Sequence, residues 1–154
     1  MLNFVAVRHG DANEIGLFHK EKNLSSLGIK QVNAIAKLLK DNDLLPKVIY
    51  TSPKLRAVET ANILKKELAG NVFEENALCE PFDSNKLLSI LADSSNESST
   101  VFFVGHAPTL AEFVEDLVGK NVLEHGLPKG SAALVTFDAA VEYGKGIFQK
   151  LFQK

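Results

Sequence analysis

Two arginines and two histidines of this 154-residue chain have the types and settings to do chemistry: Arg8 and His9 in Val7-Arg8-His9-Gly10, Arg56 in Ser52-Pro53-Lys54-Leu55-Arg56, and His106 in Gly105-His106-Ala107-Pro108. A guanidinium keeps its proton at any physiological pH and presents a planar fork of donors, which suits a tetrahedral oxyanion. A neutral imidazole offers a nitrogen lone pair that can attack phosphorus. The phosphoramidate so formed is labile enough for water to cleave, and splitting one hard displacement into two easier ones is covalent catalysis. A second imidazole, protonated or donating a hydrogen bond, would stabilise the equatorial oxygens as charge redistributes. Phosphoryl transfer is catalysed mainly by such positioning and electrostatics.

Those side chains act together only if the fold gathers them. Asn3 to Val7 has the β-branched and aromatic content of a strand that stops at Arg8. Ile29, Val32, Ile35, Ala36 and Leu39 recur at helical spacing, with Ser25 or Ser26 as the N-cap. Lys47 to Thr51 reads as a short buried strand, followed by a helix with Pro53 at its first position and an end near Gly70. Val72 to Leu78 is expected to hold a short strand and Ser84 to Leu91 a helix, with Asp93 to Thr100 a polar surface loop. Thr100 to Val104 is a strongly apolar strand, and Pro108 starts a helix running to Gly119. Ser131–Phe137 and Gly146–Phe152 read as final strands, antiparallel neighbours at one edge. Strands alternating with helices predict a three-layer α/β sandwich with a mainly parallel central sheet. Ligands of such sheets bind outside the carboxyl ends of the strands, so Arg8, His9, Arg56 and His106 should share one crevice. Free N–H groups of the two Pro-initiated helices would add to its positive potential.

The whole chain, 1–154, is expected to form a single domain, large enough to bury a core. Its net charge of −2 gives no reason to expect binding to nucleic acid or anionic membrane, so attraction for an anion must come from a local cluster. The lone Cys79 rules out an internal disulfide and suits a reducing cytoplasm; it reads as a small, partly buried apolar residue. The start of the chain does not resemble a signal peptide and no apolar run is long enough to span a bilayer, so a cytoplasmic location is expected.

The segments VRHGDA at 7–12, SPKLRAVETA at 52–61 and VGHAP at 104–108 resemble the signatures of the histidine phosphatase superfamily, whose phosphoglycerate mutase branch begins with an Arg-His-Gly motif. The short chain, the RHGDA start and the GHAP step are most similar to the SixA-type phosphohistidine phosphatases. The resemblance runs from about Asn3 to Phe137. It implies a phosphoglycerate mutase-like fold, with His9 as the phosphorylated nucleophile and Arg8, Arg56 and His106 completing the phosphate pocket. It also implies a general acid before the third helix, which points to Glu80, with Asp83 and Asp11 as reserves. No cofactor and no metal are implied. The substrate would be a phosphorylated protein, phosphohistidine above all, or a small phosphomonoester. Larger relatives insert a helical subdomain that roofs the site; here about thirty-five residues separate Gly70 from His106, which leaves little for a roof. Ala12 stands where many relatives carry a hydroxyl.

Plainer readings compete at several positions. Arg56 could be a surface arginine paired with Glu59 or Glu80. Asp11 could orient Arg8 or His9, or face solvent. Glu59 and Thr60 read as braces of their helix, His19 and His125 as solvated, and Lys129 and Ser131 could line the pocket rim, although no motif places them there. Two rival functions stand beside the phosphatase. A metal-dependent hydrolase using His9, Asp11 and His106 lacks paired ligand spacing, and two arginines would repel the ion; added chelator separates the two. A non-catalytic phosphate-binding regulatory module would capture a phosphoprotein without turnover, and a generic aryl phosphate assay discriminates. A mutase needs a closed pocket to keep water from the phosphoenzyme, against which the short chain argues.

Overall fold

The computed structural model describes residues 1–14, 21–96 and 98–154; His19 lies outside them. The elements are β1 (Leu2–Arg8), α1 (Ser26–Asp41), β2 (Val48–Thr51), α2 (Leu55–Leu68), β3 (Asn71–Glu74), α3 (Ser84–Asp93), β4 (Ser99–Gly105), α4 (Thr109–Val118), β5 (Ala132–Phe137) and β6 (Ile147–Phe152). The strands form one sheet in the order β3-β2-β4-β1-β5-β6. β1 to β4 pair in parallel, while β5 runs antiparallel to both β1 and β6. The expected mainly parallel sandwich is therefore present, with its antiparallel pair at one side.

Side-chain alternation sorts the core into two layers. Phe4 and Ala6 of β1 and Val101 and Phe103 of β4 pack beneath α3 and α4, through residues such as Leu87, Leu91, Leu110 and Phe113. Val5, Val7, Phe102 and Val104 point the other way, onto Val32, Ile35 and Leu39 of α1 and Ala57, Ala61 and Leu64 of α2. Burial on both faces is why these two strands read as unbroken apolar runs rather than alternating ones. On the α3/α4 side, Phe4 meets Phe103 and Phe113 edge-on, at ring-centroid distances of 4.9 and 6.0 Å. Truncating such a ring to alanine costs ~3–5 kcal/mol, so this cluster fixes β1 and β4 firmly against α4.

Three local departures from the sequence reading have simple causes. Pro53 is not the first residue of a helix: α2 starts at Leu55 after an extended Lys54. The Ser52 hydroxyl accepts the Lys54 N–H at 3.3 Å, which turns the chain before the helix begins. Likewise α4 begins at Thr109, one residue after Pro108. The strand expected over Val72–Leu78 ends at Glu74, because the Glu75 carboxylate accepts the Ala77 N–H at 2.8 Å and caps a short 3-10 turn over Asn76–Leu78. At α1, Ser25 is the cap and receives the Gly28 N–H at 3.0 Å.

Candidate active site

β1 and β4 are adjacent, with Arg8 in register with Gly105. The chain leaves β1 toward α1 on one face and leaves β4 toward α4 on the other. Neighbouring strands that exit to opposite faces open a crevice at their carboxyl ends, and a ligand site is expected there. The turn after β1 is pinned on several sides. His9 N–H donates to Gly105 O at 3.1 Å, and Gly130 N–H is shared between the carbonyls of Arg8 and His9 at 3.1 and 3.0 Å. Gly10 is needed because a Cβ there would lie 2.7 Å from Gly28 O and 2.9 Å from Val32 Cγ2.

Arg8, His9, Arg56 and His106 line one cleft of about 240 Å³, together with Ala12, Lys22, Ala107 and Lys129. That volume is below the roughly 300–1,000 Å³ of common small-molecule pockets. It suits a phosphoryl group better than a whole metabolite. Among the described residues four cations and no carboxylate line it, so the local positive cluster required by a net-acidic chain is here.

The imidazole of His9 is almost buried, and its hydrogen bonds set its tautomer. Nδ1 lies 2.7 Å from Gly10 O, an acceptor, so Nδ1 carries the hydrogen. Nε2 receives the Arg56 Nε–H at 3.3 Å, so its lone pair points into the cleft. Burial first, with the charges of Arg56, Arg8 and Lys129, lowers the His9 pKa to about 4 despite the bond to Gly10. His9 is therefore neutral at pH 7, with an available lone pair.

His106 lies beside it, ring centroids 5.1 Å apart. Its Nδ1 is 3.5 Å from Arg56 Nη2, which can only donate, so Nε2–H faces the Ser52 hydroxyl at 2.8 Å. Burial, followed by Arg56, His9, Lys54 and Arg8, holds its pKa at about 4 as well. An incoming dianion would reverse those Coulombic contributions and favour a proton on Nδ1. Arg8 donates from Nη1 to Leu127 O at 3.1 Å, while its buried Nε has no hydrogen-bond partner among the described residues. Burial lowers its pKa, but a guanidinium remains charged.

The carboxylates divide. Glu80 is exposed and lies outside the cleft, in an adjoining hollow that shares Arg56, His106 and Ala107 with it. Among the described residues no ion pair joins Arg56 to Glu80 or Glu59; the Glu59 carboxylate instead accepts the Leu24 N–H at 2.7 Å. Asp83 caps α3 by accepting the Lys86 N–H at 3.1 Å and lines neither hollow, which removes it as a reserve acid. Asp11 orients neither Arg8 nor His9. Its two oxygens take the Ser25 hydroxyl at 2.7 Å and the Lys129 ammonium at 3.2 Å, and these bonds hold its carboxyl below the usual range. Both oxygens being engaged, Asp11 too loses its place as a proton donor.

Lys22 in the cleft had no sequence signal, and Lys129, which does line the cleft, has no motif of its own. Ser131 itself is buried, with its hydroxyl donating to Pro128 O at 2.6 Å. Cys79 is half-buried on the edge of the adjoining hollow, and His125 is exposed. Among the described residues no three His, Cys, Asp or Glu side chains converge as metal ligands, and no helix is long and apolar enough to cross a membrane.

A buried neutral histidine beside two arginines at the switch point of a mainly parallel sheet marks the class of this α/β protein. The chain belongs to the histidine phosphatase superfamily: the family model for branch 1 of that superfamily matches residues 4–82. It is a phosphatase of that class. The fold agrees with solved structures across nearly the whole length. A candidate phosphohistidine phosphatase SixA from Agrobacterium tumefaciens superposes with a TM-score of 0.84 at 19% identity, covering 99% of this chain and 97% of that one. The protein histidine phosphatase SixA complexed with tungstate gives 0.82 at 23% identity, with 98% and 96% covered. A phosphoserine phosphatase from Entamoeba histolytica, in complex with 3-phosphoglyceric acid, gives 0.73 at 20% identity, with 100% and 98% covered. Among curated proteins no sequence matches.

Proposed function

We propose that the chain, working as a single domain, hydrolyses phosphohistidine in proteins through a phosphohistidine intermediate on His9. One observation carries this reading: the His9 lone pair at Nε2 lies on the cleft wall, where it accepts the Arg56 Nε–H at 3.3 Å, while Nδ1–H is committed to Gly10 O. A phosphoryl group that displaces the Arg56–His9 bond meets a nucleophile on one side and charge-matched donors on the other.

In the first step Nε2 attacks phosphorus, the new P–N bond forms, and the bond to the leaving group breaks with its electron pair going to that group. Arg8, Arg56 and a protonated His106 take the phosphoryl oxygens and stabilise the charge that spreads over them. In the second step water attacks the phosphoimidazole, releasing phosphate and restoring neutral His9. The arginines already supply the positive charge that a metal would otherwise bring.

The leaving group separates the possible substrates. An alkoxide is strongly basic and needs a proton as it departs, whereas the imidazole of phosphohistidine leaves readily once protonated. Glu80 is the remaining candidate for the proton donor, and it sits across Arg56 and His106 from the nucleophile, on the exposed side of the adjoining hollow. An exposed acid outside the nucleophile's cleft suits the easier leaving group. Lys22, Lys54 and Lys129 stand exposed around the two hollows, where a macromolecular partner could reach them. The phosphohistidine-phosphatase likeness of the fold supports the same substrate class.

The test is a comparison of kcat/KM for phosphohistidine-bearing protein domains against small phosphomonoesters. The phosphoproteins should be preferred by at least an order of magnitude. A clear preference for one small phosphomonoester would instead make the chain a small-molecule phosphatase of the same family.

A further inference from the structure

Four hydrogen bonds close a ring around the nucleophile. Arg56 Nε–H donates to His9 Nε2 at 3.3 Å, and His9 Nδ1–H donates to Gly10 O at 2.7 Å. Gly10 N–H donates to the Thr60 hydroxyl at 3.2 Å, and that hydroxyl donates to Arg56 O at 2.8 Å. The ring begins and ends on Arg56, one turn of α2 before Thr60. Three of its links hold the turn and the helix together. The fourth, between Arg56 and His9 Nε2, must part for a phosphoryl group to reach Nε2.

From this ring we propose that Thr60 is a positioning residue for catalysis: its hydroxyl ties the Arg8-His9-Gly10 turn to α2 and so sets the aim of His9 Nε2 relative to the Arg56 guanidinium. The inference rests on the reading of His9 as nucleophile. Thr60 is fully buried and lines neither hollow, so it does not act by touching substrate. Its hydroxyl uses both capacities at once, accepting from one catalytic segment and donating to the other. A hydrogen bond to the i−4 carbonyl is ordinary for threonine in a helix; the bond from Gly10 gives it a second task.

The other side of the turn is held separately. Asp11 N–H, which shares a peptide plane with the Gly10 carbonyl, donates to the Gln31 side chain of α1 at 2.8 Å. Gly10 is thus clamped between helices, Gln31 fixing the peptide after it and Thr60 the peptide before it. On the α1 side Gly28 O and Val32 leave no room for even a Cβ on Gly10. Losing the Thr60 hydroxyl frees the side that faces α2, the helix that carries Arg56. A misplacement of about 1 Å between reacting groups is enough to cost on the order of 100-fold in rate.

The experiment compares wild type, Thr60→Val and Thr60→Ser in single-turnover phosphorylation with a labelled phosphoramidate, alongside inhibition by inorganic phosphate and the imidazole ¹⁵N spectrum of His9. Thr60→Val keeps shape and removes the hydroxyl. It should slow phosphorylation by roughly 10–100-fold, leave phosphate affinity within about threefold because the arginines remain, and mix the His9 tautomers that wild type resolves. Thr60→Ser restores the donor and acceptor and should recover the rate to within about threefold of wild type. Thermal melting confirms that each variant is folded at the assay temperature. A Thr60→Val enzyme with the wild-type rate and a single tautomer overturns the proposal. Equal losses in Thr60→Val and Thr60→Ser overturn it too, since they mark a packing role for the methyl group. If wild type takes its label anywhere but His9, the nucleophile assignment fails instead.

Discussion

Acid should spare this enzyme far longer than an ordinary histidine nucleophile would allow. A histidine with the usual pKa of 6.5 is about three-quarters neutral at pH 7 and only about 9% neutral at pH 5.5, so kcat/KM would fall about eightfold between the two. With the His9 pKa lowered to about 4 by burial and the neighbouring cations, roughly 97% of the nucleophile is still neutral at pH 5.5. After correction for the separately measured ionisation of the substrate phosphate, kcat/KM should change by less than a factor of two over that interval. It should then fall as the pH drops through about 4. Replacing Arg56 by Gln removes a cation that lowers both imidazoles, so the acid limb of any residual activity should move to higher pH. Stability follows the same sign. Between pH 6.5 and about 4 the unfolded chain binds protons that folded His9 and His106 refuse, so stability declines as the pH falls through that window. Circular dichroism must therefore accompany each assay point. An acid limb centred between pH 6 and 7 in folded enzyme, with His9 imidazole signals titrating at the same pH, would refute the account of a desolvated nucleophile.

Two substitutions test the division of labour around the cleft. Arg56→Ala should lower kcat/KM by roughly two orders of magnitude or more, as expected for lost stabilisation of transition-state charge. Its melting temperature should stay near that of wild type, because no carboxylate pairs with Arg56 among the described residues; a large drop in melting temperature with little loss of rate would make Arg56 a structural residue. Glu80→Gln should slow alkyl phosphates far more than phosphoramidates or nitrophenyl phosphate, while equal effects on all of them would deny Glu80 the role of proton donor.

What could be read from sequence was whatever periodicity and strand ends encode. The apolar runs of β1 and β4 and the helical spacing from Ile29 to Leu39 placed the layers, and the rule that strands present ligand groups at their carboxyl ends brought Arg8, His9, Arg56 and His106 into one crevice. The features left open or missed depend on contacts between distant segments. Lys129 enters the cleft because Asp11, 118 residues away, holds its ammonium. The same contact, with Ser25, took Asp11 out of the list of acids. Asp83 looked available for proton transfer, yet an aspartate one residue before a helix is as well placed to cap it, and capping is what it does. Thr60 was read as a brace of its own helix, and it is that; its second bond, to Gly10 fifty residues earlier, has no trace in local spacing.

The central claim is that His9 is transiently phosphorylated. Rapid acid-free quenching of the enzyme with ³²P-labelled substrate, followed by peptide mapping, tests it most directly. The label should sit on His9, resist base, be lost in acid as a P–N bond is, and be absent from His9→Ala, which should also lack turnover. Full activity in His9→Ala, or label on another residue with the stability of a phosphate ester, would contradict it.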